Sequence, residues 1–337
     1  MLIGVEVAAR GFAFAAALLL FGTSLFLVYA PHEAFRAEGD AGADQWRGLR
    51  HAVRRMQLLC VAAAIVSSVA WLAVHAAIIA GEPLVRAMWW DTLATVTRQT
   101  LFCRVAALRL GLMLLLGVTL ALERRESYEV AIDILNAVVA GLVLAAMASM
   151  GHAVATPGPG GKVHLGADVI HLLAAGAWLG GLPPLALALG RARGAHALPA
   201  GIAARTTHRF SRLGIACVAT LLATGIVNAW FLVSRVDALF ATPYGQLLLL
   251  KLALFALMLV IAARNRAWWT PQIAARATHA EASRRNAALR RLARNASIEV
   301  ALGLAIAFIV GALGVMIPAM HTGMAGATPP APHTHLH

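Results

Sequence analysis

The sequence predicts an all-α, polytopic membrane protein: eight transmembrane helices as two parallel four-helix repeats, with both termini periplasmic. Three observations carry this expectation. The 337 residues are 60% hydrophobic and 13% charged, about half the charged share of an ordinary soluble domain, and mean hydropathy is +0.76. The apolar residues gather into eight stretches of about the ~20 residues that a span requires. The basic residues alternate between rich and poor from one connecting segment to the next.

The first stretch is 7–30. It has no basic leader and no small-residue cleavage site, so it reads as a span and not as a removed signal. Spans follow at 55–80, 102–122 and 130–152. Between the second and third, the Trp pair in "MWW" (Met88 to Trp90) suits a bilayer interface. Glycines and prolines at 157–161 mark a short loop, and spans resume at 165–189, 210–234, 245–268 and 295–318. The expected organisation is a first four-helix half at 1–152, a second at 153–318 and a His-rich periplasmic tail at 319–337.

Orientation follows from Arg and Lys. Segments 31–55, 124–129, 190–212 and 264–294 hold 5, 2, 5 and 8 of them, against 1, 3, 1, 1 and 0 in segments 1–10, 81–104, 153–164, 235–244 and 319–337. Positive segments stay inside, which places both termini in the periplasm of a bacterium. The formal charge of +13 is therefore a membrane-orientation signal. No aromatic-basic motif accompanies it, so the bilayer is the expected partner and nucleic acid is not. Cys60, Cys103 and Cys217 lie in or beside apolar stretches and form no disulfide framework.

The halves resemble each other at polar positions. "CVAAAIVSS" at Cys60 parallels "CVATLLATG" at Cys217, and "ATVTRQTLFCR" (Ala94 to Arg104) parallels "ATPYGQLLLLK" (Ala241 to Lys251). In the fourth and eighth spans Asp133 matches Glu299 and Met150 matches Met316, both at a spacing of 166. An even number of spans per repeat gives both halves the same orientation, related by an axis along the membrane normal.

Ionisable groups inside a span are costly and mark function. "GADVIHLLAAGAWLGGLPPL" (Gly166 to Leu185) carries Asp168 and His171, with His164 just before it; the three share one helix face. The fourth span ends "MASMGH", with Met147, Met150 and His152 at the same outer mouth. Met316, Met320, His321 and Met324 leave the eighth span on that side, and His75 closes the second. Thioethers select Cu(I), and imidazole suits copper in either state, so the mixture points to copper, Cu(I) rather than Cu(II), more than to zinc. The bland alternative is that the methionines pack the core and the histidines satisfy local hydrogen bonds. The tail, with His321, His333, His335 and His337, either gathers metal loosely or has no role.

Deeper in the membrane, Asp133 and Glu299 lie near the inner ends of their spans, as do Cys60 and Cys217. The carboxylates either pass a cation inward or pair with nearby arginines; the cysteines read as small buried fillers. Lys251 is a candidate ion-pair partner of Asp168. Gly176, Gly180 and Gly181 would let the fifth span approach its neighbours closely, and Pro183 and Pro184 would kink or end its inner part. No nucleotide-binding loop, Ser-His-Asp arrangement or HExxH motif occurs, so neither ATP hydrolysis nor other enzyme activity is expected.

"ADVIHLLAAGAWLGGLPPL" (167–185), "RFSRLGIACVATLLATGIVNAW" (209–230), "TPYGQLLLLKLALFALML" (242–259) and the helix around Glu299 resemble the copper resistance protein D (CopD) family. The likeness is densest over 145–318, and the first half resembles the family mainly in its span pattern. The resemblance implies an eight-span inner-membrane protein that moves copper from periplasm to cytoplasm, often beside the small periplasmic carrier CopC. It also implies copper positions at His152, His171 and their methionine neighbours. Some members carry a fused CopC-like domain; none is seen here, so a separate CopC-like carrier is either the expected partner or dispensed with. Copper import without ATP is thus the leading reading. A b-type cytochrome with haem on His75, His152 or His171, and a copper-binding sensor that does not transport, are the alternatives.

Overall fold

The computed structural model describes residues 2–122, 129–151, 158–192, 199–233, 237–273 and 279–316. Among them all regular structure is helical. Eight helices are long and apolar enough to cross a membrane, by length and composition. They are α1 (Leu2–Tyr29), α2 (Gly39–Ala80), α3 (Leu101–Leu122), α4 (Glu129–Ala145, continued by a 3-10 turn over Ala146–Met150), α5 (Gly158–Arg191), α6 (Ala200–Leu232), α7 (Pro243–Arg264) and α8 (His279–Leu313).

Several helices extend beyond the apolar stretches, for readable reasons. α2 begins at Gly39, well before the expected 55. Its early part is amphipathic: Trp46, Leu49, Arg50, Val53 and Gln57 are buried, the spacing of one helix face. α5 begins at Gly158, where a loop was expected at 157–161. Gly158 has φ 71°, a left-handed entry natural to glycine, and Pro159 follows in the first turn, where its missing N–H costs nothing. At its other end α5 runs through Pro183 and Pro184 to Arg191, so the prolines do not end it; packed neighbours make such breaks tolerable in a membrane helix. The "MWW" segment lies at the junction of two short helices, Leu84–Ala87 and Trp90–Gln99, with Met88 and Trp89 in the turn between them.

Two helices form the centre. α1 packs against α2, α4, α5 and α8, while α5 packs against α1, α4, α6 and α8. α3 lies on α2 and α4, and α7 lies on α8. The α1–α5 contact is backbone to backbone. A Cβ added at Gly22 would stand 2.3 Å from the Gly176 carbonyl oxygen, and one at Gly180 would stand 2.3 Å from that of Leu18. Gly181 is equally constrained, 2.9 Å from the Phe210 ring by the same construction. Small residues thus permit the approach, as membrane packing requires.

At one end of the bundle, α1 starts where α8 finishes: Gly311 meets the backbone of Val7 and Gly11, and Gly314 meets the Arg10 guanidinium. This is the terminal end of the bundle. At the opposite, arginine-rich end, Arg50 of α2 reaches Asp133 of α4 (2.5 Å), and Arg54 donates from Nε to the Leu120 carbonyl (2.5 Å), closing the exposed carbonyl end of α3.

Candidate metal centre

The site is built where α5, α6 and α7 meet toward the terminal end. On α6, Thr224 and Asn228 are four residues apart, so they share one face, and that face meets Asp168 and His171 of α5. His171 Nδ1 lies 2.9 Å from Thr224 Oγ1. The Thr224 hydroxyl donates its own proton to the Thr220 carbonyl at 2.7 Å. Its oxygen is therefore the acceptor toward His171, so Nδ1 carries the hydrogen. Nε2 of the neutral ring is left with the lone pair, the form in which imidazole binds a metal.

Three residues away, Asn228 Nδ2 donates to Asp168 Oδ1 at 3.3 Å, while Asn228 Oδ1 is buried without a partner among the described residues. Lys251 of α7 is near enough to interact electrostatically with both Asp168 and His171. Thr242 caps α7 by accepting from the Gly245 N–H at 3.0 Å. That cap fixes the level at which α7 begins and sets Tyr244, 3% exposed, beside this group. Met316 packs against the Tyr244–Leu313 cluster. The structure therefore groups His171, Asp168 and Lys251, with Met316 reached through Tyr244.

It places the other expected donors elsewhere. Met147 lies in the main core, 1% exposed. Met150 accepts from Arg109 Nη1 at 3.4 Å. Arg109 is fully buried, donates from Nε to the Val143 carbonyl at 3.2 Å, and leaves Nη2 without a partner among the described residues. His164 is buried and stacks on Phe231, centroids 4.8 Å apart. His75 belongs to a separate group: Nδ1 is 3.2 Å from Glu6 Oε1 and the ring lies on Phe102 at 3.8 Å. His152, Met320, His321, Met324 and the tail histidines lie outside the described residues. Among the described residues, no three His, Cys, Asp or Glu side chains converge to hold a metal.

The two deep carboxylates differ. Asp133 forms the buried ion pair with Arg50, the structural role. Glu299, 2% exposed, accepts from Asn265 Nδ2 at 2.9 Å, and Asn265 in turn accepts from Asn295 at 2.7 Å. Cys103 and Cys217 are buried, Cys60 is half-buried, and all three are free thiols.

Four participants escaped the sequence reading: Thr224, Glu6, Arg109 and Tyr244. Thr224 was within reach, because Thr224 and Asn228 repeat at the helical spacing in a span otherwise nearly all apolar. Glu6 and Arg10 sit at i and i+4 in the first span and carried the same signal. Nothing in the sequence reveals that Arg109 meets Met150.

Two family models match separate parts of the chain. The copper resistance protein D family matches residues 204–313, the region that holds Thr224, Asn228, Lys251 and Glu299. The N-terminal domain of copper resistance protein D-like proteins matches residues 1–162. The chain belongs to the copper resistance protein D family. Copper resistance protein D of Pseudomonas syringae pv. tomato is 29% identical over 308 residues, 91% of this chain and 94% of that protein. Copper transport protein CutJ of Bacillus subtilis (strain 168) is 38% identical over 96 residues, 28% of this chain and 17% of that longer one. Inner membrane protein YebZ of Escherichia coli (strain K12) is 37% identical over 129 residues, 38% of this chain and 42% of that one. No solved structure matches the chain significantly. The family matches and the eight apolar helices fit a multi-pass membrane protein of a copper resistance and transport family.

Proposed function

We propose that this protein imports copper as Cu(I) from periplasm to cytoplasm across the inner membrane, with His171 as the anchoring ligand. The observation that carries the reading is the Thr220–Thr224–His171 relay. It fixes the imidazole hydrogen on Nδ1 and leaves Nε2 as a donor within the bundle. A ligating histidine is ordinarily oriented through its other ring nitrogen in this way. The other donors expected from the sequence, His152, His164, Met147, Met150, Met316, Met320 and His321, are the candidates to complete the coordination. Of the described thioethers, Met316 is favoured, because the guanidinium of Arg109 already occupies Met150 and repels a cation there.

Asp168 balances Lys251 and lowers the cost of bringing a cation beside His171. An inside-negative potential favours entry of a monovalent cation by ~2.3 kcal/mol per 100 mV, enough that no ATP is required. Both termini are periplasmic, from the arginine asymmetry, so the site faces the compartment of a CopC-like carrier that would deliver the metal.

The two halves, 1–152 and 153–318, are parallel repeats in this reading. The helix contacts support it: α1 holds α2 and α4 as α5 holds α6 and α8. Cys217 follows Cys60 by 157 residues, which pairs Ser67 with Thr224 and Trp71 with Asn228. Aligning Gly22 with Gly180, where α1 and α5 cross, pairs Arg10 with Asp168. Arg10 packs over the Trp71 ring at 4.6 Å, while Asp168 bonds Asn228. The same positions thus make contact in both halves with different chemistry.

The test is copper uptake by proteoliposomes of the purified protein, with an optical spectrum of the same sample. Accumulation in the parent and its loss in folded His171→Ala support the reading. Equal uptake by parent and variant rejects the site, and a stoichiometric Soret band would favour the cytochrome.

A further inference from the structure

α6 and α7 are consecutive in the chain but do not pack along each other, whereas α2 packs on α3 at the corresponding place in the first half. The gap is a cavity of ≈ 400 Å³ toward the arginine-rich end, backed by α5 and α8. Its walls are apolar, with Trp178, Phe210, Val218 and Leu259 among them, and Glu299 and Asn265 form a polar floor. At the rim Arg266 is held by Ser211, Nη1 to Oγ 2.7 Å. A volume of this order, mostly apolar with a few convergent polar groups, is what a small-molecule site offers.

The floor holds the decisive detail. Glu299 is 2% exposed, and among the described residues no Arg, Lys or His stands within ion-pair distance of it. Its counterpart by spacing, Asp133, has Arg50 at 2.5 Å. The spacing of 157 that joins Cys60 to Cys217 puts Thr207 where Arg50 stands, and Thr207 lines the cavity. The second half has therefore replaced an ion pair with a small hydroxyl residue and open space. A carboxyl group has about four acceptor positions, and the Asn265 amide fills one of them. Acceptor capacity thus remains at the bottom of an apolar cavity that opens sideways between two helices. A lipid acyl chain cannot meet it, and a buried polar group left without a partner is disfavoured. The fitting occupant enters from the bilayer, is largely apolar, presents a hydroxyl at its buried end and has a flat face for Trp178 and Phe210.

We propose that this cavity binds a membrane-soluble hydroquinone, with a ring hydroxyl donating to Glu299 and the hydrocarbon tail leaving between α6 and α7. The site is separate from the His171 group and does not rest on the copper reading.

The test uses the full-length protein in phospholipid nanodiscs. The probes are a reduced, short-chain alkyl hydroquinone and its dimethyl ether, the same molecule without donors, with binding read by equilibrium dialysis. The hydroquinone should bind about 10-fold more tightly than the ether, the worth of one well-made hydrogen bond. Glu299→Leu should reduce the hydroquinone to the affinity of the ether and leave the ether unchanged. Ala219→Phe, which fills the cavity from α6, should abolish both. Equal binding of the two probes by the parent protein would show an apolar slot only and overturn the proposal without recourse to any variant. Absence of binding by either probe would overturn it as well. Helical content and the thermal melt of Glu299→Leu serve as the fold control and should match the parent.

Discussion

Replacing Thr224 by valine tests the tautomer argument directly. The side chains are nearly equal in size, so α6 and α5 keep their packing, and the change removes one hydroxyl. In the parent that hydroxyl donates to Thr220 O at 2.7 Å and accepts from His171 Nδ1 at 2.9 Å. Without it the imidazole has no acceptor for the Nδ1 hydrogen, and the ring is free to rotate or to place its hydrogen on Nε2. Loss of such an orienting partner costs a metal site about 10–100-fold in affinity, or ~1.4–2.7 kcal/mol. Thr224→Ser keeps the hydroxyl and should bind within a few-fold of the parent.

The assay is competition for Cu(I) against a coloured chelator in detergent, under reducing conditions, with helical content recorded on each sample. The expected order of affinity is parent, Thr224→Ser, then Thr224→Val, with His171→Ala weakest. If Thr224→Val binds as tightly as the parent while His171→Ala does not, the relay has no part in preparing the ligand. If His171→Ala also binds like the parent, the site itself is misplaced.

Two further outcomes concern stability. Arg50→Met leaves Asp133 in a buried position without its arginine, and breaking a buried pair from one side costs ~3–5 kcal/mol. Arg50→Met/Asp133→Leu should recover most of that, and denaturation in detergent would show a large non-additivity. Gly180→Ala should destabilise by ~1–3 kcal/mol or more, because the new methyl would lie 2.3 Å from the Leu18 carbonyl oxygen. Gly111→Ala in α3, with nothing within 4 Å, is the control and should be neutral or slightly stabilising through helix propensity. Thermal melts that do not separate the two glycine variants would refute the backbone-contact reading of α1 and α5.

What was legible in the sequence follows from the range of the forces involved. The eight spans could be read because hydrophobic length is local, and Gly176 and Gly180 were recognisable because small residues in a span have few other uses. Asp168 and His171 stood out as ionisable groups in an apolar run, and the structure does put them on one face toward α6. The fate of Met150 was not legible: its partner Arg109 is 41 residues away, and only the packing of α3 against the end of α4 brings them together. The start of α5 was misread because Pro and Gly serve equally in a loop and in the first turn of a helix. Pro183 and Pro184 do not end the helix, because the effect of proline in a span depends on the helices packed around it.

Residues 1–152 and 153–318 differ in how their charged groups are partnered. In the first half Glu6 meets His75, Arg10 lies over Trp71, and Arg50 meets Asp133. Each contact joins two helices of that half. In the second half Asp168 bonds Asn228, His171 bonds Thr224, and Glu299 bonds Asn265. In all three the hydrogen-bonding partner is neutral, with the charge of Lys251 near enough to act on Asp168 and His171 as well. A neutral partner orients a group without satisfying it, so acceptor capacity remains for something else. A cation beside His171 and a hydrogen-bond donor beside Glu299 are the complements that these groups call for. The first half, with its closed ion pairs and the α2–α3 contact intact, then serves as the frame against which α5 is held. The second half, with α6 and α7 apart, is where a ligand or an ion has room to enter.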